Sequence, residues 1–241
     1  MASPGVERVE GAYAHLEELF AAERCVVLDG GVATELQRLR PLKGEGRPDP
    51  ELWGTWALYR APQAVLEVHR RYVATGCAVI STNTWSILSA PEVELRTGPG
   101  STELGHWMDI ARLGVRLARR AVEEAGRERE CAVAFTISEE VNSPERRGTI
   151  ELLGRVFADE PPDLILLETL TLIRDPLTYE TVEQLLTTGL PVWLSFRRGR
   201  RGRPPAAPSA GRTRRRPRAG SDETRARREG PSSGAARPSR T

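Results

Sequence analysis

Two carboxylates and a pair of glycines are the residues of this sequence best suited to chemistry. Asp29, Gly30 and Gly31 end a short apolar run, Cys25-Val26-Val27-Leu28, and Glu168 ends another, Leu164-Ile165-Leu166-Leu167. Paired acids on one rim can hold an ammonium group, bind a metal or share a proton. Adjacent glycines let backbone approach a ligand closely or take a positive φ. Ser81-Thr82-Asn83-Thr84 closes a third run and Ser195 lies near the end of a fourth. Each feature also has an ordinary reading. Asp-Gly-Gly after a strand is often only a turn, Asn83 can cap the segment that follows it, and Glu168-Thr169 can begin a helix. His69 falls in the middle of a helical pattern and reads as a surface or core residue rather than a base, as do His15 and His106. No dinucleotide fingerprint, Walker pattern, H-E-x-x-H or G-x-S-x-G is present.

These residues need elements to position them, and the hydrophobic periodicity supplies a repeating set. Helical spacing runs over Glu7 to Glu23, Ala61 to Gly76, Thr102 to Gly126, Thr149 to Asp159 and Pro176 to Thr188. Between them lie five short apolar runs: 25–28, 78–83, 131–137, 163–168 and 190–196. Nearly continuous apolar strands alternating with helices predict a parallel α/β sheet, with the first strand buried on both faces. The carboxyl ends of the strands then form the site, and Asp29, Asn83 and Glu168 all fall there. A doubly wound open sheet and a (β/α)₈ barrel both fit five such units.

Composition divides the chain at about Phe196. The 45 residues after it hold 15 of the 35 basic residues and 3 of the 33 acids, a net of +12, so residues 1–196 carry −10. The tail has no Val, Ile, Leu, Met, Phe, Tyr, Trp or Cys. Such a segment cannot bury enough apolar surface to offset its ordering entropy and is expected to be disordered. The division predicts one α/β domain over 1–196 and a basic tail over 197–241. No apolar stretch approaches the ~20 residues of a membrane span, and Met1–Glu10 has no secretory pattern. The three cysteines, Cys25, Cys77 and Cys131, match no disulfide or zinc spacing. Cytoplasmic location is the expectation.

The run Leu28-Asp29-Gly30-Gly31-Val32-Ala33-Thr34-Glu35-Leu36 resembles the opening of the homocysteine S-methyltransferase family. Leu52-Trp53, Pro62, Val68-His69-Arg70-Arg71-Tyr72, Gly76, Val79-Ile80-Ser81-Thr82-Asn83-Thr84 and Asp163-Leu164-Ile165-Leu166-Leu167-Glu168-Thr169 follow in the family's order. The likeness covers residues 24 to 196. It implies a (β/α)₈ TIM-barrel fold, here incomplete at about five βα units. It implies methyl transfer to the sulfur of homocysteine from a sulfonium, betaine, folate or related donor. By the same likeness Asp29 and Glu168 hold the homocysteine ammonium, Gly30 and Gly31 offer backbone contacts, and Trp53 and Asn83 line the pocket. The resemblance also implies zinc, held by one cysteine after an Asn and by a Gly-Gly-Cys-Cys pair, which turns the substrate thiol into a thiolate. Those cysteines are absent from this chain, so it is expected to be inactive, with no metal ligands and no assigned catalytic residue.

Five strands leave two open edges and uncovered apolar surface, which predicts poor stability or association. The Arg-, Pro- and Gly-rich tail reads as a shifted reading frame or a splice product. Two other readings compete. One is a binding module whose tail contacts nucleic-acid phosphates non-specifically, weakening steeply with salt. The other is a different α/β enzyme using Asp29 and Glu168 as acid and base.

Overall fold

Period-two alternation along the central strands decides how the layers form. A computed structural model describes residues 11–39, 51–97, 106–138, 141, 147–170 and 176–197. Its helices are α1 (Ala12–Ala21), α2 (Val32–Leu39), α3 (Trp56–Arg60), α4 (Pro62–Ala74), α5 (Ala90–Thr97), α6 (Trp107–Glu124), α7 (Arg147–Asp159) and α8 (Leu177–Leu186). Its strands are β1 (Val79–Ser81), β2 (Ala132–Ser138), β3 (Leu164–Leu170) and β4 (Val192–Phe196). They form one parallel sheet in the order β1-β2-β3-β4. Before β1, Leu28 bridges Val79 in parallel, with Ala78 N–H donating to Val27 O at 2.8 Å and Asp29 N–H to Val79 O at 3.1 Å. Spatial order therefore equals chain order from residue 27 to residue 196. A doubly wound sheet reverses direction at a switch point; this one does not, which is the arrangement of consecutive barrel strands.

The two faces of the sheet differ. Ile80, Val133, Phe135, Ile137, Ile165 and Leu167 pack into the large core beneath the helices. Their neighbours Val79, Ala132, Ala134, Leu164 and Leu166 form a second cluster with Ala12, Leu16 and Leu19 of α1. The second set is the concave inner face, and α1 covers its amino-terminal half. Along β2 that face reads Ala132, Ala134, Thr136, Ser138, apolar where α1 covers it and polar beyond. The polar half is the floor of the site.

Two sequence expectations need correction. Residues 25–28 are not a strand buried on both faces: they contribute a bridge, and Val27 and Leu28 are 51% and 37% exposed. No described strand lies outside them, so among the described residues their outer edge has no strand partner. Leu194 and Phe196 of β4 are exposed at the opposite edge for the same reason. The predicted helices are present with trimmed ends, whereas α2, α3 and α5 were not foreseen. Residues 7–10 and 102–105 of the predicted helices, and the tail from 198 onward, lie outside the described residues. Among the described residues no helix is long and apolar enough to cross a membrane.

His69 of α4 is fully buried and neither ring nitrogen has a hydrogen-bond partner. Burial lowers its pKa to about 4. The unfolded chain therefore takes up a proton that the folded chain refuses, and stability falls as pH drops from 6.5 towards 4. A thermal-melt series over that range is expected to show a loss of roughly 3 kcal/mol that His69→Leu removes. An equal loss in the variant would place the acid lability elsewhere.

Candidate functional site

At the carboxyl ends of the strands lies a cavity of about 490 Å³. Its lining includes Asp29, Gly30, Gly31, Trp53, Asn83 and Glu168, so the six residues singled out in the sequence meet at one place. Four separate segments of the chain bring them there. Asp29 ends the bridged segment and is fixed by Ser81 at the end of β1: Ser81 N–H donates to Oδ2 at 2.9 Å and Ser81 Oγ–H to Oδ1 at 2.8 Å. The Asp-Gly-Gly segment is thus more than a turn, because its acid is tied to the next strand. Gly30 and Gly31 lead into α2, whose first residues, Val32, Ala33 and Thr34, also line the cavity. Backbone at the start of a helix suits an anionic group such as an α-carboxylate. A side chain at Gly30 would strike the Tyr72 hydroxyl, 2.7 Å from the Cβ position.

Trp53, 56% exposed, stands on the mouth of the cavity with φ at +43°. Gly54, next to it, packs so closely on Ala33 that a Cβ would overlap it. The Asn83 side chain donates from Nδ2 to Gly54 O at 2.7 Å, binding this segment to the end of β1. Asn83 is therefore a brace for the wall and not a helix cap, and its Oδ1 stays available as an acceptor. Glu168 sits within β3, paired with Ser138 of β2, and does not begin a helix. Ser195, the other strand-end polar residue noted in the sequence, is exposed on β4 and does not line the cavity.

The sequence marked Ser81 and Thr82 only as strand-end polar residues and did not single out Thr55, Trp85 and Thr136 as site residues; all five line the cavity. Trp85 follows the Ser-Thr-Asn-Thr strand end directly, and its position there was a usable signal. Thr136 is visible only as the point where β2's inner face turns polar. It joins a hydroxyl network in which Thr84 Oγ1 donates to Thr136 O at 2.8 Å and Thr136 N–H donates to Thr82 Oγ1 at 3.1 Å.

The electrostatics are one-sided. Burial pushes the Asp29 carboxyl up to about 7; the two Ser81 hydrogen bonds oppose the rise and the charge of Glu168 adds to it. Burial also raises Glu168. Among the described residues no Lys, Arg or His lines the cavity to neutralise them. Two desolvated acids facing one space favour a cation between them. Because Asp29 is raised in the folded state, its contribution to stability is present in acid and is lost as pH climbs through about 7.

The described residues of the site offer no metal-binding set. Among the described residues no group of three or more His, Cys, Asp or Glu side chains is placed to hold an ion. Cys25, Cys77 and Cys131 precede the bridged segment, β1 and β2, at the amino-terminal ends of the strands. The acids are at the other end; the seven residues of β2 alone span roughly 20 Å. Burial pushes the Cys131 thiol up to about 12, so it stays protonated. The cysteines present do not fit the zinc site that the sequence resemblance implied.

Comparison with known proteins gives a consistent result. The family model described as homocysteine S-methyltransferase matches residues 26–207. Homocysteine S-methyltransferase 1 of Zea mays is 34% identical over 110 residues, covering 45% of this chain and 31% of the maize protein. The crystal structure of the homocysteine methyltransferase MmuM from Escherichia coli, in its metallated form, is similar with a TM-score of 0.50 at 23% identity. That match covers 76% of this chain and 66% of the E. coli chain. The chain thus spans less than two thirds of the length of either relative.

Proposed function

The chain belongs to the homocysteine S-methyltransferase family, and on that premise we propose that its cavity takes homocysteine by the amino-acid end. The observation that carries this reading is the pair of desolvated acids, Asp29 and Glu168, in a cavity whose described lining has no basic side chain. The ammonium sits between the two carboxylates. The α-carboxylate meets backbone N–H groups at Gly30, Gly31 and the start of α2. Trp53 and the braced Gly54 wall the side chain, which runs towards Trp85 and Thr136.

Methyl transfer to the sulfur would yield methionine, with a sulfonium, betaine or similar donor. It requires a thiolate, and a free thiol of pKa near 8.5 is mostly protonated at pH 7. Among the described residues nothing on the cavity wall is suited to activate it: their charged side chains are acids, and the cysteines lie at the far end of the sheet. We therefore assign this 241-residue chain, by itself, binding of homocysteine without turnover.

Calorimetric titration at pH 8 with L-homocysteine and with 4-sulfanylbutanoic acid, which lacks the amino group, tests the reading. Homocysteine is expected to bind at least about tenfold more tightly, the difference of one charge-assisted hydrogen bond. Equal affinities would reject it. Binding also carries a pH signature. Protonated Asp29 cannot balance an ammonium, so affinity is expected to rise as pH climbs through about 7. The limiting slope is about tenfold per pH unit for one linked proton. A flat profile between pH 6 and 8 would separate Asp29 from the ligand.

A further inference from the structure

Glu168 lies three backbone segments across the sheet from Asp29, roughly 14 Å at the usual strand spacing. For the two carboxylates to share one cation, they must converge across the concave face. The backbone holds a device at the point where this is decided. Leu167 pairs with Leu194 and Leu170 with Phe196, so β3 carries one more residue than β4 across the same interval. Within that bulge Thr169 has a φ of +63°, and its hydroxyl donates to Glu168 O at 2.7 Å. A β-branched residue in the left-handed region is a true outlier. Such strain persists only where the surroundings enforce it.

The bulge has two consequences. Leu170, which strict alternation from Glu168 would send to the inner face, packs instead in the outer core and is fully buried. Glu168, still paired with Ser138, is released from the regular β3–β4 ladder. An extra residue in a strand bends it, increases its twist and re-aims the side chain beside it. We propose that Thr169 is a positioning residue: its left-handed bulge swings the Glu168 carboxylate across the concave face towards Asp29, setting the spacing of the cation site. The proposal rests on the binding reading above. The electrostatic influence of Glu168 on Asp29 agrees with such convergence.

The test uses the full chain with Thr169→Gly and with Thr169 deleted. Glycine occupies the left-handed region without cost, so Thr169→Gly is expected to keep homocysteine affinity within about twofold, with a melting temperature equal or higher. Deletion restores a regular ladder. It is expected to keep the circular dichroism of the parent, to weaken homocysteine binding at least about tenfold, and to lower the Asp29 midpoint followed by carboxyl-carbon NMR. Should the deletion variant fail to fold, Thr169→Ile, which disfavours a positive φ, is expected to give the same two losses. Parental affinity and an unmoved Asp29 midpoint in a variant without the bulge would overturn the proposal. So would loss of binding in folded Thr169→Gly. Absence of homocysteine binding by the parent would instead reject the binding reading, and the Asp29 midpoint would then decide the bulge alone.

Discussion

Asp29→Asn and Glu168→Gln are each expected to weaken homocysteine binding ten- to a hundredfold. Each removes a charge-assisted hydrogen bond to the ammonium, worth about 1.5–3 kcal/mol. The same substitutions should make the ligand-free protein more stable at pH 8. Asp29 is held ionised there against a burial that favours its proton, and the amide carries no charge to desolvate. The gain expected for Asp29→Asn is about 1 kcal/mol, since the half-buried site is partly screened by solvent. Affinity measured by calorimetry should thus fall while the melting temperature rises. A variant that lost both would mark Asp29 as structural, held by Ser81 for the sake of the fold.

The second large effect concerns the wall. Gly54→Val should cost about 3 kcal/mol or more, in the range of severe overpacking. Its Cβ would overlap Ala33 and press on Asn83 Oδ1 at 3.3 Å. Neither neighbour can retreat freely. Ala33 belongs to α2, and Asn83 is committed to Gly54 O. The Trp53–Thr55 turn must move away from α2, taking Trp53 off the mouth of the cavity. Denaturant unfolding and homocysteine titration should both register the change. A folded variant with parental affinity would show that Trp53 and Gly54 form no part of the binding wall.

The particular residues show what could be read beforehand. Strands β1 to β4 were legible because a parallel sheet covered on both faces needs continuous apolar runs, and Leu164-Ile165-Leu166-Leu167 is such a run. The carboxyl-end rule then selected Asp29 and Glu168 before any geometry was known. The first run misled for a physical reason: Val26-Val27-Leu28 has the composition of a covered strand, yet the described residues leave its outer edge unpaired. α3 was hidden because five residues give too little periodicity, and α2 because it begins directly from the glycines. Asn83 shows the limit for side chains. Its place at a strand end was evident, but its bond to Gly54 spans 29 positions and leaves no local trace. The bulge at Thr169 was equally hidden, since Thr is an ordinary strand residue and only its backbone angle sets it apart.

On the reading proposed above, the described residues hold the amino-acid half of a methyltransferase site and no group suited to activate the thiol. The most direct measurement supplies the 241-residue chain with L-homocysteine and S-methylmethionine, with and without one equivalent of zinc. Homocysteine affinity and methionine formation are followed in the same samples. The prediction is one homocysteine per chain, an affinity unchanged by zinc, and no methionine above the enzyme-free rate. Stoichiometric zinc uptake that tightens homocysteine binding, together with methionine production, would contradict it.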